Sequence, residues 1–294
     1  MGQVANAHGA YGLRISGLDD WADDLPAVPH TWPELAVGFQ IESTTGPRPP
    51  GTVVVEDARG EVWLPGGGLI EISREPLNAR FKTSQPVPGN AVLHPLMGLP
   101  AAIANRWLAR HALHGGAFLH EGRAWAVLGD RESGKSSTLG YLVTSGHTVL
   151  SDDILILEGQ TVYAGPRTVD LRSEAAHLGG EKLGLVGNRE RWRLYSSTSP
   201  PSAPLAGFIH LTWGTSVRLT ALDPNARLPA LIESSVFRPS PADAQRLLDL
   251  VALPAWRLIR PRAISEIAAV TARLLETVDR HPAPADASPA ELDY

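Results

Sequence analysis

The chain has 294 residues, of which 43% are hydrophobic, so it is long enough for one large domain or two small ones. Its 31 acidic and 26 basic residues give a net charge of −5, and the absence of a basic tract argues against nucleic-acid and membrane partners. The sequence has no cysteine, which excludes disulfides, thiolate metal sites and cysteine nucleophiles. No signal-peptide pattern and no membrane-length apolar run is present, so we expect a cytoplasmic protein.

Residues 1–95 are predicted to form a β-rich lobe that ends in a proline-rich stretch. Alternating apolar residues predict a strand at 12–16, and a hairpin is predicted from the strands at 52–55 and 61–64. A further strand is predicted at 69–72. The lobe is a candidate for substrate recognition. Its tryptophans suit either core packing, which we favour, or a peptide groove: Trp21, Trp32 and Trp63.

The next segment is predicted to be a helix over 100–113, because Pro100 suits a first helical position and the apolar residues share one side. Two strands at 116–120 and 123–128 follow, joined by a hairpin turn at Glu121-Gly122. The second of these strands leads directly into the strongest motif of the chain.

That motif, GDRESGKS, matches the phosphate-binding loop pattern G-x-x-x-x-G-K-[ST] and precedes a predicted helix over 136–144. Such a loop turns its N–H groups inward, and the helix adds the positive end of its dipole, so a polyphosphate is favoured. Lys135 would bridge the outer phosphates, and the Ser136 hydroxyl would hold Mg2+. The alternative, a chance match on a glycine-rich turn, is disfavoured by this context. The predicted nucleotide contacts are Gly129, Asp130, Arg131, Glu132, Ser133, Gly134, Lys135, Ser136 and Ser137.

Asp152 and Asp153 lie between the apolar segments 148–150 and 154–157. Adjacent carboxylates between strands are costly unless they face a cation or hydrogen-bond donors. In a parallel sheet the second strand would bring them beside the Mg2+ and the γ-phosphate. The alternative is a solvated turn, since aspartate favours turns.

Three features in this order, His114-Gly115, the loop motif, and Gly146-His147 followed by the aspartate pair, resemble the HPr kinase/phosphorylase family. They also resemble its smaller relatives, such as the lasso-peptide precursor kinases. The resemblance spans 114–153. It implies an α/β fold with a P-loop core of mixed strands, similar to HPr kinase and PEP carboxykinase, joined to the N-terminal β-rich lobe.

The resemblance also implies an ATP- and Mg2+-dependent kinase that acts on a serine hydroxyl. By this likeness Lys135 is the phosphate-binding lysine and Asp153 the base, with Asp152 or His114 holding Asp153 in place. Asp170 lies in a pattern that helps to hold Mg2+ in the family, so the implied metal ligands are Ser136, Asp153 and Asp170.

We expect the hairpin to bring His114, as a protonated imidazole, beside the aspartate pair and the γ-phosphate. The alternative is a C-terminal helix cap, which a histidine before a glycine often forms.

Strands are predicted at 161–172 with a central turn, at 207–213, 217–222 and 256–259, and helices at 240–253 and 264–278. The polar, proline-broken loop 196–203 is expected to move over the site. Four arginines are candidates to neutralise phosphate charge: Arg167, Arg172, Arg191 and Arg193.

The domain division that follows is a lobe over 1–95, a kinase-like domain over 96–280, and a flexible tail over 281–294. The predicted activity is transfer of the γ-phosphate of ATP to a Ser/Thr hydroxyl of a peptide or protein, including a ribosomal peptide precursor. Two alternatives remain: an NTPase that drives a conformational change, and a nucleotide-sensing module, which Arg131 and Glu132 within the loop support. The oligomeric state stays open, a homo-oligomer included.

Overall fold

A computed structural model describes residues 7–42, 49–65, 67–186 and 189–280. The protein is mixed α/β, and its described strands form two eight-stranded sheets and one three-stranded sheet. The tail predicted to be flexible, 281–294, lies outside the described residues. In the part of the chain described here, no helix combines the length and apolarity that a bilayer crossing requires.

The N-terminal sheet has the strand order β3-β1-β2-β4-β8-β7-β6-β5. It confirms the predicted strands at 12–16 and 69–72 and the predicted hairpin, which is the antiparallel pair β5 and β6. Trp21 and Trp32 pack against the buried core, as we favoured. The strands are β1 Ala7–Ala10, β2 Leu13–Ser16, β3 Ala27–Val28, β4 Glu34–Ile41, β5 Val53–Val55, β6 Arg59–Trp63, β7 Leu69–Ser73 and β8 Asn78–Thr83.

The remaining strands form the other two sheets. They are β9 His111–His120, β10 Arg123–Gly129, β11 Val149–Ser151, β12 Ile154–Glu158, β13 Thr161–Tyr163, β14 Thr168–Leu171, β15 Glu181–Val186, β16 Arg189–Tyr195, β17 Ser202–Trp213, β18 Arg218–Ala221 and β19 Ala255–Arg260. The large sheet has the order β10-β9-β12-β13-β17-β19-β18, with β11 also on β9 and β10 also on β17. The small sheet has the order β14-β16-β15.

Strand direction in the large sheet decides which chain segments meet. β10 runs parallel to β17, and β17 runs parallel to β19. β10 and β11 are both antiparallel to β9, so they run in the same direction with β9 between them. The strand before the aspartate pair therefore runs in the same direction as the strand before the loop, as expected, and the carboxyl ends of β10, β11, β17 and β19 share one edge.

The helices are α1 Gly89–Ala91, α2 Gly98–Trp107, α3 Lys135–Thr144, α4 Pro224–Ser234, α5 Ala244–Val251 and α6 Ile267–Arg280. The helix predicted over 100–113 ends early, because Ala109 adopts a left-handed conformation with φ 59°. The chain then pairs as a strand, with His111 opposite Leu157. His114 consequently lies inside β9, and the alternative of a helix cap is wrong.

α2 lies between the two large sheets and touches β6 and β7 on one side and β9 and β12 on the other. One cluster of buried apolar residues runs from the N-terminal sheet through α2 to β9, β12 and β13. The boundary near residue 95 stays a prediction, and this shared core extends across it. Because the sheets share a core, N-terminal segments can reach the edge of the large sheet.

Candidate functional site

The 129–136 loop joins β10 to α3 and depends on glycine for its shape. Gly129 and Gly134 have positive φ values of 141° and 85°, which glycine adopts without steric cost. A Cβ on Gly134 would lie 1.7 Å from Nη2 of Arg260, so this position also needs glycine for space. The loop is thus held close to the residue that ends β19.

Lys135 begins α3 and folds its side chain back into the loop. It is 7% exposed, and Nζ donates to the carbonyl oxygens of Gly129 (2.8 Å) and Asp130 (2.9 Å). Burial, foremost, lowers the pKa of Lys135. A cation and the first N–H groups of a ten-residue helix therefore meet at one place, an arrangement that favours an anion.

The charged residues of the loop point away from its interior. Asp130, Arg131 and Glu132 are exposed, and the Glu132 carboxylate pairs with Arg172 at 2.8 Å and Arg189 at 3.7 Å. Arg172, foremost, lowers the pKa of Glu132. This acidic residue therefore ties the loop to the small sheet instead of occupying the space that a phosphate would need.

Ser136 connects the loop to the aspartate pair. Its hydroxyl donates to Oδ1 of Asp152 at 3.0 Å, while Oδ2 of Asp152 accepts a long bond from the Asp170 N–H at 3.3 Å. Asp152 is 2% exposed, and burial, foremost, raises the pKa of its carboxyl to about 6. Two adjacent oxygen groups of this kind can serve as ligands of a hard cation.

Asp153 has a different environment from its neighbour. Its φ is 71°, and the Ile154 N–H donates to the Asp152 carbonyl at 2.9 Å, so Asp153 is the central residue of a γ-turn. This conformation is strained for a residue with a Cβ, and it leaves the side chain 41% exposed. The pair therefore does form a turn between two strands, as the alternative has it, but only Asp153 is accessible to solvent and Asp152 is buried.

His114 lies beside Asp153 because β9 and β12 pair in that register. Ile154 is opposite His114, the Gly115 N–H donates to the Asp153 carbonyl at 3.0 Å, and Nδ1 of His114 is 3.5 Å from Oδ1 of Asp153. The predicted position of His114 beside Asp153 is confirmed, and its position beside the γ-phosphate stays a prediction. Burial and then the Lys135 charge lower the pKa of His114, which disfavours the predicted protonated imidazole.

Asp170 is a buried structural anion. Both of its carboxylate oxygens accept from Arg193, at 2.8 and 3.0 Å, and Arg191 lies 3.6 Å from Oδ2. Arg193 also donates to the carbonyls of Asn90 and His94. Two of the predicted phosphate-neutralising arginines therefore serve this carboxylate.

His94 joins the same cluster, with Nε2 3.8 Å from Oδ2 of both Asp152 and Asp170. Within the described ranges, no group of three or more His, Asp or Glu residues could hold a metal ion. The implied set of Ser136, Asp153 and Asp170 is therefore not assembled: Ser136 contacts Asp152, and Asp170 is committed to Arg193. The role of the Ser136 hydroxyl as a Mg2+ ligand stays a prediction.

The N-terminal lobe reaches the site through the turn between β1 and β2. Tyr11, with φ 61°, is fully buried at the tip of this turn, and its carbonyl accepts from Nδ2 of Asn105 at 2.9 Å. Its hydroxyl is buried with no hydrogen-bond partner among the described residues. Burial and then the charges of Asp153 and Asp152 raise the pKa of Tyr11.

The segment 196–203 was expected to move over the site. Its first residues form hydrogen bonds with the residues at the start of β11. The Val149 N–H donates to the Ser196 hydroxyl at 2.8 Å, and the Thr148 and Ser197 hydroxyls are 2.7 Å apart. Nη1 of Arg167 donates to Thr198 at 3.3 Å. Ser137, the last predicted nucleotide contact, is half-buried in α3.

No family model matches the chain, and no curated protein matches it. Among solved structures, the chain is similar to the HPr(Ser) kinase/phosphatase from Coxiella burnetii, with 13% sequence identity. The alignment covers 57% of this chain and 97% of that chain, with a TM-score of 0.28.

Proposed function

We propose that this protein is a kinase that transfers the γ-phosphate of ATP to a Ser or Thr hydroxyl of a peptide or protein. One observation carries the proposal: the hydrogen bond from Ser136 to the buried Asp152 joins a phosphate-loop motif to an aspartate pair. The second aspartate of that pair, Asp153, is exposed at the same edge and has a histidine beside it.

The loop and Lys135 would bind the phosphates of the nucleotide. Inward N–H groups and a helix N-terminus stabilise negative charge without a rearrangement during the reaction. Lys135 already lies inside the loop, where its ammonium can exchange carbonyl partners for phosphate oxygens. Phosphoryl transfer depends mainly on this positioning and charge neutralisation.

Ser136 and Asp152 are the residues that would hold Mg2+. A hydroxyl and a carboxylate 3.0 Å apart fit this ion, which usually takes one or two carboxylates together with waters and phosphate oxygens. Mg2+, when bound, neutralises charge on the phosphates. The second Asp152 oxygen faces the Asp170 N–H and His94, so the carboxylate is fixed in orientation.

Asp153 is the residue that would accept the proton of the attacking hydroxyl. Its exposed carboxylate is accessible to an acceptor, and its strained backbone is held by the Gly115 N–H from β9. Strained conformations of this kind are concentrated at functional sites. His114, whose pKa is lowered mainly by burial, can orient the carboxylate through Nδ1.

The test is a transfer assay with γ-labelled ATP, Mg2+ and a library of Ser/Thr-containing peptides. We expect label on a hydroxyl with wild-type protein and none with Lys135→Ala. Lys182→Ala is the matched control, because Lys182 is an exposed lysine on β15 that pairs with Glu190 and should not affect transfer.

Two other outcomes would contradict the proposal. Free phosphate that does not depend on any acceptor would indicate an NTPase. Nucleotide binding without turnover would indicate a sensing module.

A further inference from the structure

The parallel strands of the large sheet bring the end of β19 to the 129–136 loop. Arg260, the last residue of β19, is opposite Trp213, the last residue of β17. The Gly214 N–H donates to the Arg260 carbonyl at 2.9 Å, which fixes the two strand ends together. Because β17 also pairs with β10, the Arg260 side chain emerges at the edge where the loop begins.

Arg260 contacts the loop directly. Its Nη2 donates to the Ser133 carbonyl at 2.9 Å, and the close packing against Gly134 leaves no room for a Cβ there. The guanidinium carbon lies 4.4 Å from the centre of the Trp213 ring. The side chain is 2% exposed.

This buried cation has no acidic partner among the described residues. No carboxylate of the described ranges lies within ion-pair distance, and Nε is buried without a hydrogen-bond partner. Burial lowers the pKa of Arg260 to about 10. Burying an unpaired charge is costly, so such a group needs a compensating interaction.

Arg193 shows how the same protein treats a buried structural arginine. Arg193 is fully buried like Arg260, but it donates to both oxygens of Asp170 and to two backbone carbonyls. Arg260 has one carbonyl and an aromatic face instead. The charge of Arg260 is therefore left available for an anion at the loop.

A second polar group beside Arg260 is also unsatisfied. The Ser133 hydroxyl is buried and has no partner among the described residues, and it lies next to Gly129 at the start of the loop. Lys135 supplies the other buried cation of the loop. Two cations and a free hydroxyl thus surround the 129–136 backbone.

We propose that Arg260 is a positioning residue for polyphosphate binding: it holds the Ser133 carbonyl and places a second buried positive charge behind the loop. The inference rests on the proposed function and names a residue from the C-terminal strand as part of the phosphate site. In a low-dielectric environment this charge acts on a bound polyphosphate without touching it.

The proposal predicts opposite effects on stability and on binding. Replacing a buried charge that has no carboxylate partner with a neutral group that can still donate to the Ser133 carbonyl should leave the ligand-free protein at least as stable, whereas polyphosphate affinity should fall. If Arg260 had only a structural role, the results would be the opposite. Its loss would lower the stability of the fold and leave the polyphosphate affinity of the folded molecules unchanged.

The experiment measures thermal melts and binding of sodium tripolyphosphate, ADP and adenosine to the full chain. We expect Arg260→Gln to melt no earlier than wild type and to bind tripolyphosphate and ADP about tenfold or more weakly, with adenosine binding unaffected. Arg260→Lys, which keeps the charge, should recover most of the affinity. Arg262→Gln is the control, since Arg262 is exposed and lies 5.8 Å from the same Trp213 ring.

Three results would overturn the inference. An Arg260→Gln protein that melts earlier or does not fold would make Arg260 a structural residue. A folded variant with wild-type tripolyphosphate affinity would exclude the second charge while leaving the proposed function intact. Failure of wild type to bind any of the phosphates would overturn the proposed function itself.

Discussion

Asp152 and Asp153 are adjacent in the chain, but their burial differs so much that they are suited to different tasks. Asp152 is enclosed and bonded to Ser136, whereas Asp153 is exposed beside His114. The γ-turn causes this division, because it points successive side chains in different directions. This difference is the basis for the proposal that Asp152 holds the metal and Asp153 accepts the proton.

Asp152→Asn should raise the free energy of unfolding at neutral pH while removing most transfer activity. Burial raises the pKa of Asp152 to about 6, so its charge costs about 1–3 kcal/mol that a neutral amide avoids. Denaturant unfolding in metal-free buffer at pH 7 measures this. A less stable Asp152→Asn protein would show that the carboxylate is a stabilising partner of Ser136 and His94.

Tyr11→Phe should leave the free energy of unfolding unchanged or raise it. The Tyr11 hydroxyl is buried and has no hydrogen-bond partner among the described residues. Removing it therefore eliminates the desolvation penalty of an unsatisfied polar group and keeps the packing of the ring. Denaturant unfolding of the two proteins tests this. A loss of about 1 kcal/mol or more would reveal a bonded hydroxyl.

The motif residues could be assigned from sequence because a local pattern defines them. His94, Tyr11 and Arg260 could not, since each reaches the site from a distant part of the chain. The Arg193 bond to the His94 carbonyl, for example, joins residues 99 positions apart. A single sequence carries no signal for such a contact, because it forms only when the small sheet packs against the segment around His94.

At the scale of elements, β9 shows where periodicity is misleading. Apolar residues continue from α2 into 108–113, so a helix over that span was the natural prediction. Ala109 instead adopts a left-handed conformation, and the chain turns into a strand whose first residues, 111–114, pair with β12. Tertiary pairing overrides local propensity here, and it is this strand that positions His114.

β10 and β12 were predicted close to their observed bounds because their apolar runs are short and bounded by turns, whereas β9 and β17 begin earlier than predicted. α4 was not predicted, since Pro229 lies inside it and proline usually ends a helix. Its start carries a recognisable signal, because Asp223 caps it by accepting from the Asn225 N–H and Pro224 occupies the first position.

β17 contains a pH-sensitive group that bears on stability. His210 is buried, and burial followed by the Arg257 charge lowers its pKa to about 4. Between pH 6.5 and 4 the unfolded chain binds the proton and the folded protein does not, so the contribution of His210 to stability is lost as the pH falls. Once the pH is below the folded-state pKa, the free energy of unfolding has lost about 3 kcal/mol through His210.

His210→Gln should therefore lose less stability than wild type on acidification from pH 7 to 4.5. Asp152 has a raised pKa, so its contribution to the free energy of unfolding increases as the pH falls over part of this range. Because this effect is the same in both proteins, it cancels when their pH curves are compared. Urea unfolding across the pH series gives the difference. Parallel pH curves for the two proteins would contradict the low pKa of His210.

At the scale of the whole molecule, the candidate site is assembled from both ends of the described chain. Five separate segments converge on one edge of the large sheet. They are the tip of the β1–β2 turn, the segment around His94, the 129–136 loop, the aspartate pair and the end of β19. The α/β class and the β-rich lobe were predicted from sequence. The shared core across residue 95 was not, because burial between two sheets leaves no local pattern.

This arrangement gives the N-terminal lobe a direct route to the site. The Tyr11 turn is held by Asn105 of α2, and the Arg110 side chain donates to the Gly12 carbonyl at 2.8 Å. Movement of the lobe would therefore displace a buried residue next to the aspartates. The candidate role of the lobe in substrate recognition stays a prediction.

The most direct test of the account is ATP affinity and phosphoryl transfer measured side by side for wild type and Asp153→Asn. Asparagine tolerates the left-handed backbone at this position, so the substitution changes the proton acceptor and keeps the turn. We predict an ATP dissociation constant close to that of wild type and a transfer rate about 10²–10⁴-fold lower. Transfer at the wild-type rate, or a loss fully explained by weaker ATP binding, would contradict the assignment of Asp153 as the base.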